Sequence, residues 1–418
     1  MTDKDLFMKY NMVPTYGMKK NEALTKRLQN GDIKFEEPKI NKQILLLLHA
    51  NYTCNLSCIY CEHQHLRKDY RNAVMSEDMV REIVYKLGPI LRNVTWHGGE
   101  PLLLPDSMFE TLEQEKQKFG YHFETMLQTN AVNLTPDKLA MLDRLGIMIG
   151  TSFDGLNNSV SRGEKSTEAI LRLLKECPDR VSFIAVNYVD TAHQLIENYE
   201  YFKSLGCRHI QNCIVRENVM EDGSPYLIPN DIAVPAVLQY INYWMHDTNA
   251  PVHDSYIVRQ IQRVLGYTHL CEDAFCVGGW IIIDPLGNIG LCGHNQQDSG
   301  IVNIHDIRSY HDLIMNPKYM SILNKQYKLV KTCADCEWYR VCYGACMGTN
   351  YEYDHSYRTI NPKNCEFIKR TLSGVYDLIK DVDVTQTDRY NPLFLDVLRE
   401  CNYYSLSEIK KIEGVCYG

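Results

Sequence analysis

The chain has 418 residues, 45% of them hydrophobic and 23% charged, which excludes a disordered or fibrous protein and leaves ample material for a buried core. The net charge of −8 argues against a general grip on nucleic acid. ILLLLHA, from Ile44, is far too short to cross a bilayer, and the opening MTDKDLFMKY is too polar for a secretory signal, so a cytoplasmic protein is expected.

Residues 1–43 form an N-terminal extension of weak, mixed signals. Ile44–Ala50 is a short, nearly all-apolar run, as a buried parallel strand should be. Ser76 can cap a helix whose Met79, Val80, Ile83, Val84 and Leu87 share one side, stopped by Gly88-Pro89. Asn93–His97 reads as a second strand, followed by a helix from Asp106 to near Gly120. Phe123–Thr129 is the third strand, and Thr135-Pro136-Asp137 opens the next helix, which Gly146 ends. Further strands are expected at Ile147–Phe153, Val181–Val189 and His209–Val215, with helices over about Ser166–Leu174, up to Gly206, and Asn230–Met245. Six strand–helix units with right-handed crossovers predict a parallel sheet with helices outside, an α/β partial (β/α)6 barrel over residues 44–264. Such folds hold ligands at the carboxyl ends of their strands.

After residue 264 the cysteines become dense and regular helix looks scarce. Trp280–Cys292 reads as a hairpin across Pro-Leu-Gly-Asn. A small metal-organised domain is expected over 265–370, followed by a helical tail over 371–418. Sixteen cysteines, grouped at short spacings without an export signal, point to metal binding in a reducing compartment rather than to disulfides.

The loop after the first strand reads CNLSCIYC, with Cys54, Cys58 and Cys61. Three soft thiolates suit iron–sulfur chemistry, and one fewer than four leaves a coordination position open. A Cys3His zinc site using His63 or His65 is the competing reading. The spacing, together with HGGEP at the end of the second strand, resembles the radical S-adenosylmethionine (SAM) enzymes. In that family three cysteines hold a [4Fe–4S] cluster whose fourth iron binds SAM. The resemblance implies that Gly98, Gly99 and Glu100 receive the SAM amino group and that Tyr60 lies near the adenine. It also implies that Gln128 and Asn130 approach the SAM, that Ser152 and Asp154 approach its ribose and carboxylate, and that Arg162 pairs with the carboxylate.

The later run CADCEWYRVCYGAC resembles the SPASM extension of some radical SAM enzymes. The resemblance implies one auxiliary [4Fe–4S] cluster on Cys271, Cys276, Cys292 and Cys346 and another on Cys333, Cys336, Cys342 and Cys365, three clusters in all. Two structural zinc sites, or an electron carrier, would account for the same spacings. Cys177, Cys207, Cys213, Cys401 and Cys416 fit no array, and Cys213 is expected in the core.

Enzymes of this kind mostly act on peptides. The leading expectation is a maturase that installs a dehydrogenative crosslink in a ribosomally made peptide. The alternatives are an anaerobic sulfatase maturase forming formylglycine and a SPASM dehydrogenase of a non-peptide substrate. Sulfatase maturases carry an aspartate after the third auxiliary-cluster cysteine, whereas here Gly293 and His294 follow Cys292. The expected partners are a peptide, an electron donor such as flavodoxin or ferredoxin, and a separate leader-recognition protein, with no nucleic acid or membrane. No catalytic base is assigned; His294, Tyr188 and Asn187 are candidates by position.

Overall fold

The computed structural model describes residues 2–12, 44–214, 226–267, 279–291 and 300–413, apart from residues 62, 65, 71, 178, 179, 343 and 357. Cys271, Cys276, Cys292, His294, His65 and Cys416 lie outside the described residues.

The six expected strands are present as β1 (Ile44–Asn51), β2 (Leu91–Gly98), β3 (Glu124–Thr129), β4 (Met148–Ser152), β5 (Val181–Asn187) and β6 (His209–Ile214). Each pairs in parallel with the next in chain order. Strand pleating divides their side chains between two faces. Leu46, Leu48, Val94 and Trp96 are fully buried and share a core with Val80, Ile83, Val84 and Leu87 of the helix Glu77–Leu87. The alternate positions, among them His49, Asn51 and His97, turn to the barrel interior.

Local signals set the helix ends. Ser76 and Thr135 accept hydrogen bonds from the backbone N–H groups of Met79 and Lys138, and Gly120 and Gly146 end their helices in the left-handed conformation.

Among the described residues the sheet is larger than expected, with ten strands. β7 (His253–Asp254) adds in parallel beside β6; two residues are too short to show periodicity in the sequence. The expected hairpin exists as β8 (Trp280–Ile283) and β9 (Asn288–Gly290), but β8 also pairs in parallel with β1. Its Ile281, Ile282 and Ile283 are buried on both faces, which an apolar run achieves only inside a sheet. β10 (Val302–Asn303) completes that edge, antiparallel to β9.

Regular helix is not scarce beyond residue 264, contrary to the sequence reading: Pro317–Lys331 forms a helix of 15 residues. Another helix runs unbroken over Pro362–Ile379, through the position where a separate tail was expected to begin.

The first described segment is a helix, Asp3–Asn11, packed against the last, Leu406–Ile412. Buried Asn11 accepts the Tyr404 N–H at 2.9 Å and donates to the Tyr404 carbonyl at 2.8 Å. Asn11→Ala strands both backbone groups and is expected to cost on the order of 2 kcal/mol. The check is the denaturation midpoint in anaerobic urea; an unchanged midpoint would refute the clamp.

Candidate functional site

The cysteine loop leaves β1 at the carboxyl edge of the sheet. Each of its thiols has a side-chain donor in reach. Asn130 Nδ2 approaches Cys54 Sγ at 3.8 Å, Arg162 approaches Cys58 Sγ at 3.8 Å, and Arg67 approaches Cys61 Sγ at 3.6 Å. Arg67 also donates to the Leu56 carbonyl at 2.8 Å, so it braces the loop from within. Burial pushes the Cys54 and Cys58 thiols up, each raised further by the neighbouring cysteines, while Arg67 and Arg162 respectively pull them down. Thiolates that repel one another are relieved by a bound cationic centre, and three of them leave a position open, so the donor set fits a four-iron cluster.

The two glycines after β2 are required by space. Gly98 has φ of +101°, and a Cβ on Gly99 would stand 2.1 Å from the Thr53 carbonyl oxygen. This close approach lets the Gly99 and Glu100 N–H groups donate to the Asn51 and Thr53 carbonyls, locking the turn against the start of the cysteine loop. The buried Glu100 carboxylate accepts from Thr129 Oγ1 (2.7 Å), the Asn130 N–H (2.8 Å) and the Leu102 N–H (2.9 Å). Burial pushes its carboxyl up and those three donors pull it back down. In this arrangement Glu100 ties the end of β3 to the turn after β2.

Asp154 is a hub behind the site. Its Oδ1 accepts the Val186 N–H at 2.9 Å, and its Oδ2 accepts from Ser161 Oγ at 2.5 Å, Arg162 Nε at 3.2 Å and the Tyr60 hydroxyl. Burial and the Asp154 charge push the Tyr60 phenol well above its ordinary value, so it stays protonated and donates. The Arg162 guanidinium lies over the Tyr60 ring at 5.4 Å. Ser152 accepts from Gln128 Nε2 at 2.9 Å.

These elements enclose a cavity of about 370 Å³. Its walls include Cys54, Cys58 and Cys61, together with Tyr60, Gly98, Gly99, Glu100, Gln128, Asn130, Ser152 and Arg162. Of the expected SAM-contacting residues, only Asp154 is not part of the wall; it acts through Tyr60 and Arg162. The cavity also takes in His63, named above only as a ligand in the competing zinc reading, and Arg67, His97, Thr129, Ile184, Val186 and Ile214, which the sequence reading did not place there. Cys213 lines it too, rather than packing in the core. Alternation along β5 and β6 could have flagged Ile184, Val186 and Cys213, which share one face, whereas Ile214 reaches the cavity from the end of β6. Tyr188 and Asn187 are buried and Tyr188 packs beside Tyr60, with ring centroids 6.0 Å apart.

In the second array, Cys333, Cys336 and Cys365 come together across 32 positions. Burial raises the Cys333 thiol, and Cys365 and Cys336 raise it further; Cys365 is raised by burial and then by Cys336. Cys342 ends the short helix Tyr339–Cys342, whose first residue donates its N–H to the Cys336 carbonyl. Cys346 stands before the helix Met347–Asp354.

Arg67→Gln is expected to lower the reduction potential of a cluster held at this loop, because it removes a cation and donor that favour the more negative reduced state. A spin-resonance-monitored redox titration of the reconstituted protein reads this directly; an unaltered potential would rule Arg67 out as a tuning residue.

Residues 50–207 match the family model described as the Radical SAM superfamily. The chain is 23% identical over 333 residues to a cysteine-type anaerobic sulfatase-maturating enzyme of Clostridium perfringens, covering 72% of this chain and 88% of the relative. It is 23% identical over 362 residues to the radical SAM cyclopropyl synthase TigE of Paramaledivibacter caminithermalis, covering 79% and 73%. Among solved structures, native anSMEcpe with bound AdoMet and Cp18Cys peptide superposes with a TM-score of 0.68 at 20% identity, over 81% of this chain and 98% of that one. Streptococcus suis SuiB bound to precursor peptide SuiA gives 0.58 at 16% identity, over 82% and 79%. Both share this fold.

Proposed function

Because this chain is a radical SAM enzyme, we propose that it is a peptide maturase that removes hydrogen from a residue of a ribosomally made peptide. The observation that carries this reading is the composition of the cavity wall. The end formed by Cys54, Cys58 and Cys61 is polar and cationic, whereas β5 and β6 contribute Ile184, Val186, Cys213 and Ile214. That second wall suits an apolar or neutral side chain. A phosphate-bearing small molecule would need cations there, and among the described residues the arginines lining the cavity, Arg67 and Arg162, reach toward cysteine sulfurs. When bound, SAM and the cluster supply a 5′-deoxyadenosyl radical able to take hydrogen from carbon. The chain's own part is placement. Asp154 fixes Tyr60 and Arg162, Glu100 fixes the turn after β2, and the apolar wall keeps water from the reacting carbon.

In the full reading, the cysteines of the two later arrays hold two auxiliary clusters. A flavodoxin or ferredoxin in the cytoplasm supplies the reducing electron, and a separate protein recognises the leader. A dehydrogenative crosslink is the favoured outcome. Formylglycine formation is the second reading, favoured by the sulfatase-maturating relative, whose alignment covers 88% of its length.

Anaerobic coexpression with any short peptide found encoded beside this gene, followed by intact-mass measurement, tests the proposal. A crosslink removes two hydrogens, about 2 Da, and conversion of cysteine to formylglycine removes about 18 Da. A peptide of unchanged mass in cells where SAM is still consumed would count against a peptide substrate encoded there, and sulfatase peptides would then be the next probes.

A further inference from the structure

Behind the cysteine loop, three imidazoles converge from three separate elements. His49 lies on β1 and His97 on β2, and the two are register partners in the parallel pair. His63 follows Cys61. The metal-ligating nitrogens of the three all lie within 4.8 Å of one another. Ring centroids are separated by 5.3 Å for His49 and His97, 5.0 Å for His49 and His63, and 5.9 Å for His63 and His97. Three imidazoles on one tetrahedral ion, with metal–nitrogen bonds of about 2.0–2.1 Å, would have centroids about 5 Å apart. The ring positions therefore already match such a centre, and small ring rotations would bring the nitrogens to the required spacing.

The outer contacts point the same way. His63 Nδ1 lies 2.8 Å from the Gly98 carbonyl oxygen, which can only accept, so Nδ1 carries the proton and Nε2 is the basic nitrogen. His49 Nδ1 lies 3.2 Å from the Tyr52 hydroxyl. A carbonyl or hydroxyl on the far nitrogen is the usual way in which a ligating histidine is oriented. His49 and His63 are buried, and His63 and His97 also line the SAM cavity, so a fourth position would open toward it.

We propose that His49, His63 and His97 form a mononuclear site for a divalent cation of the zinc class, separate from the iron held by the cysteines. Neutral imidazoles without thiolate or carboxylate select such borderline ions over magnesium or calcium. The ion would staple the segment after Cys61 to the ends of β1 and β2, so that the loop keeps its place whether or not its cluster is assembled.

The test is metal analysis and zinc-edge X-ray absorption on the intact iron-loaded protein, after anaerobic exposure to zinc chloride and dialysis. The expected result is roughly one zinc per chain in an all-nitrogen/oxygen shell with imidazole scattering. His97→Gln should reduce the bound zinc at least tenfold with iron content unchanged, and replacing Cys54, Cys58 and Cys61 with alanine should leave it in place. Zinc absent from the wild-type protein, or zinc in a sulfur shell, would overturn the proposal. The wild-type spectrum decides even if His97→Gln fails to fold.

Discussion

Alanine at Cys54, Cys58 and Cys61 together is expected to abolish SAM cleavage completely while retaining most of the remaining iron. The three thiols face one cavity and have Asn130, Arg162 and Arg67 within reach, and burial and the neighbouring cysteines raise the Cys54 and Cys58 thiols. A cluster with no thiolate left at this loop has nothing to hold it. The second array lies on separate segments, around Cys333, Cys336, Cys342 and Cys365, so its iron should survive. On the three-cluster reading, iron falls from roughly 12 to roughly 8 atoms per chain. Deoxyadenosine release and iron content are the two measurements. Residual cleavage would remove the loop from its assigned role, and total iron loss would mean that the arrays fold as one unit.

Asp154→Asn is expected to have the largest effect on stability of any single change near the site. Asp154 is almost wholly buried and Arg162 nearly so, with side chains 1% and 11% exposed. The amide that replaces Oδ2 would point a donor at Ser161, Tyr60 and Arg162, which are donors themselves. Breaking a buried ion pair by neutralising one partner typically costs about 3–5 kcal/mol, since the other charge is left without compensation. The denaturant midpoint should fall accordingly. Iron at the first loop should become labile, because Arg162 and Tyr60 flank Cys58 and Cys61. A midpoint near that of the wild type would show that Asp154 is not the hub.

Both predictions concern residues that the sequence marked, yet in different ways. The cysteine spacing states its chemistry directly, because ligand identity and a short loop are local properties. Asp154 was expected beside the ribose and carboxylate of SAM; its place behind Tyr60 and Arg162 depends on how the segment after β4 folds back on the cysteine loop. Glu100 is similar. Its motif is legible, but the three donors that occupy its carboxylate come from Leu102, Thr129 and Asn130, the last two of them at the end of β3.

By itself the sequence determined the six parallel strands and their helices, since apolar runs, helical stripes and capping residues act within a few positions of one another. It also determined the cysteine loop and the glycine turn after β2. Only the tertiary structure decided the rest. β8 pairs with β1 across more than 200 positions, Asp3–Asn11 packs on Leu406–Ile412, and His49, His63 and His97 meet at one point. Each of these contacts joins segments too far apart in the chain for any local pattern to relate them. Their pairing is chosen by which buried surfaces and polar groups remain to be satisfied once the barrel has formed.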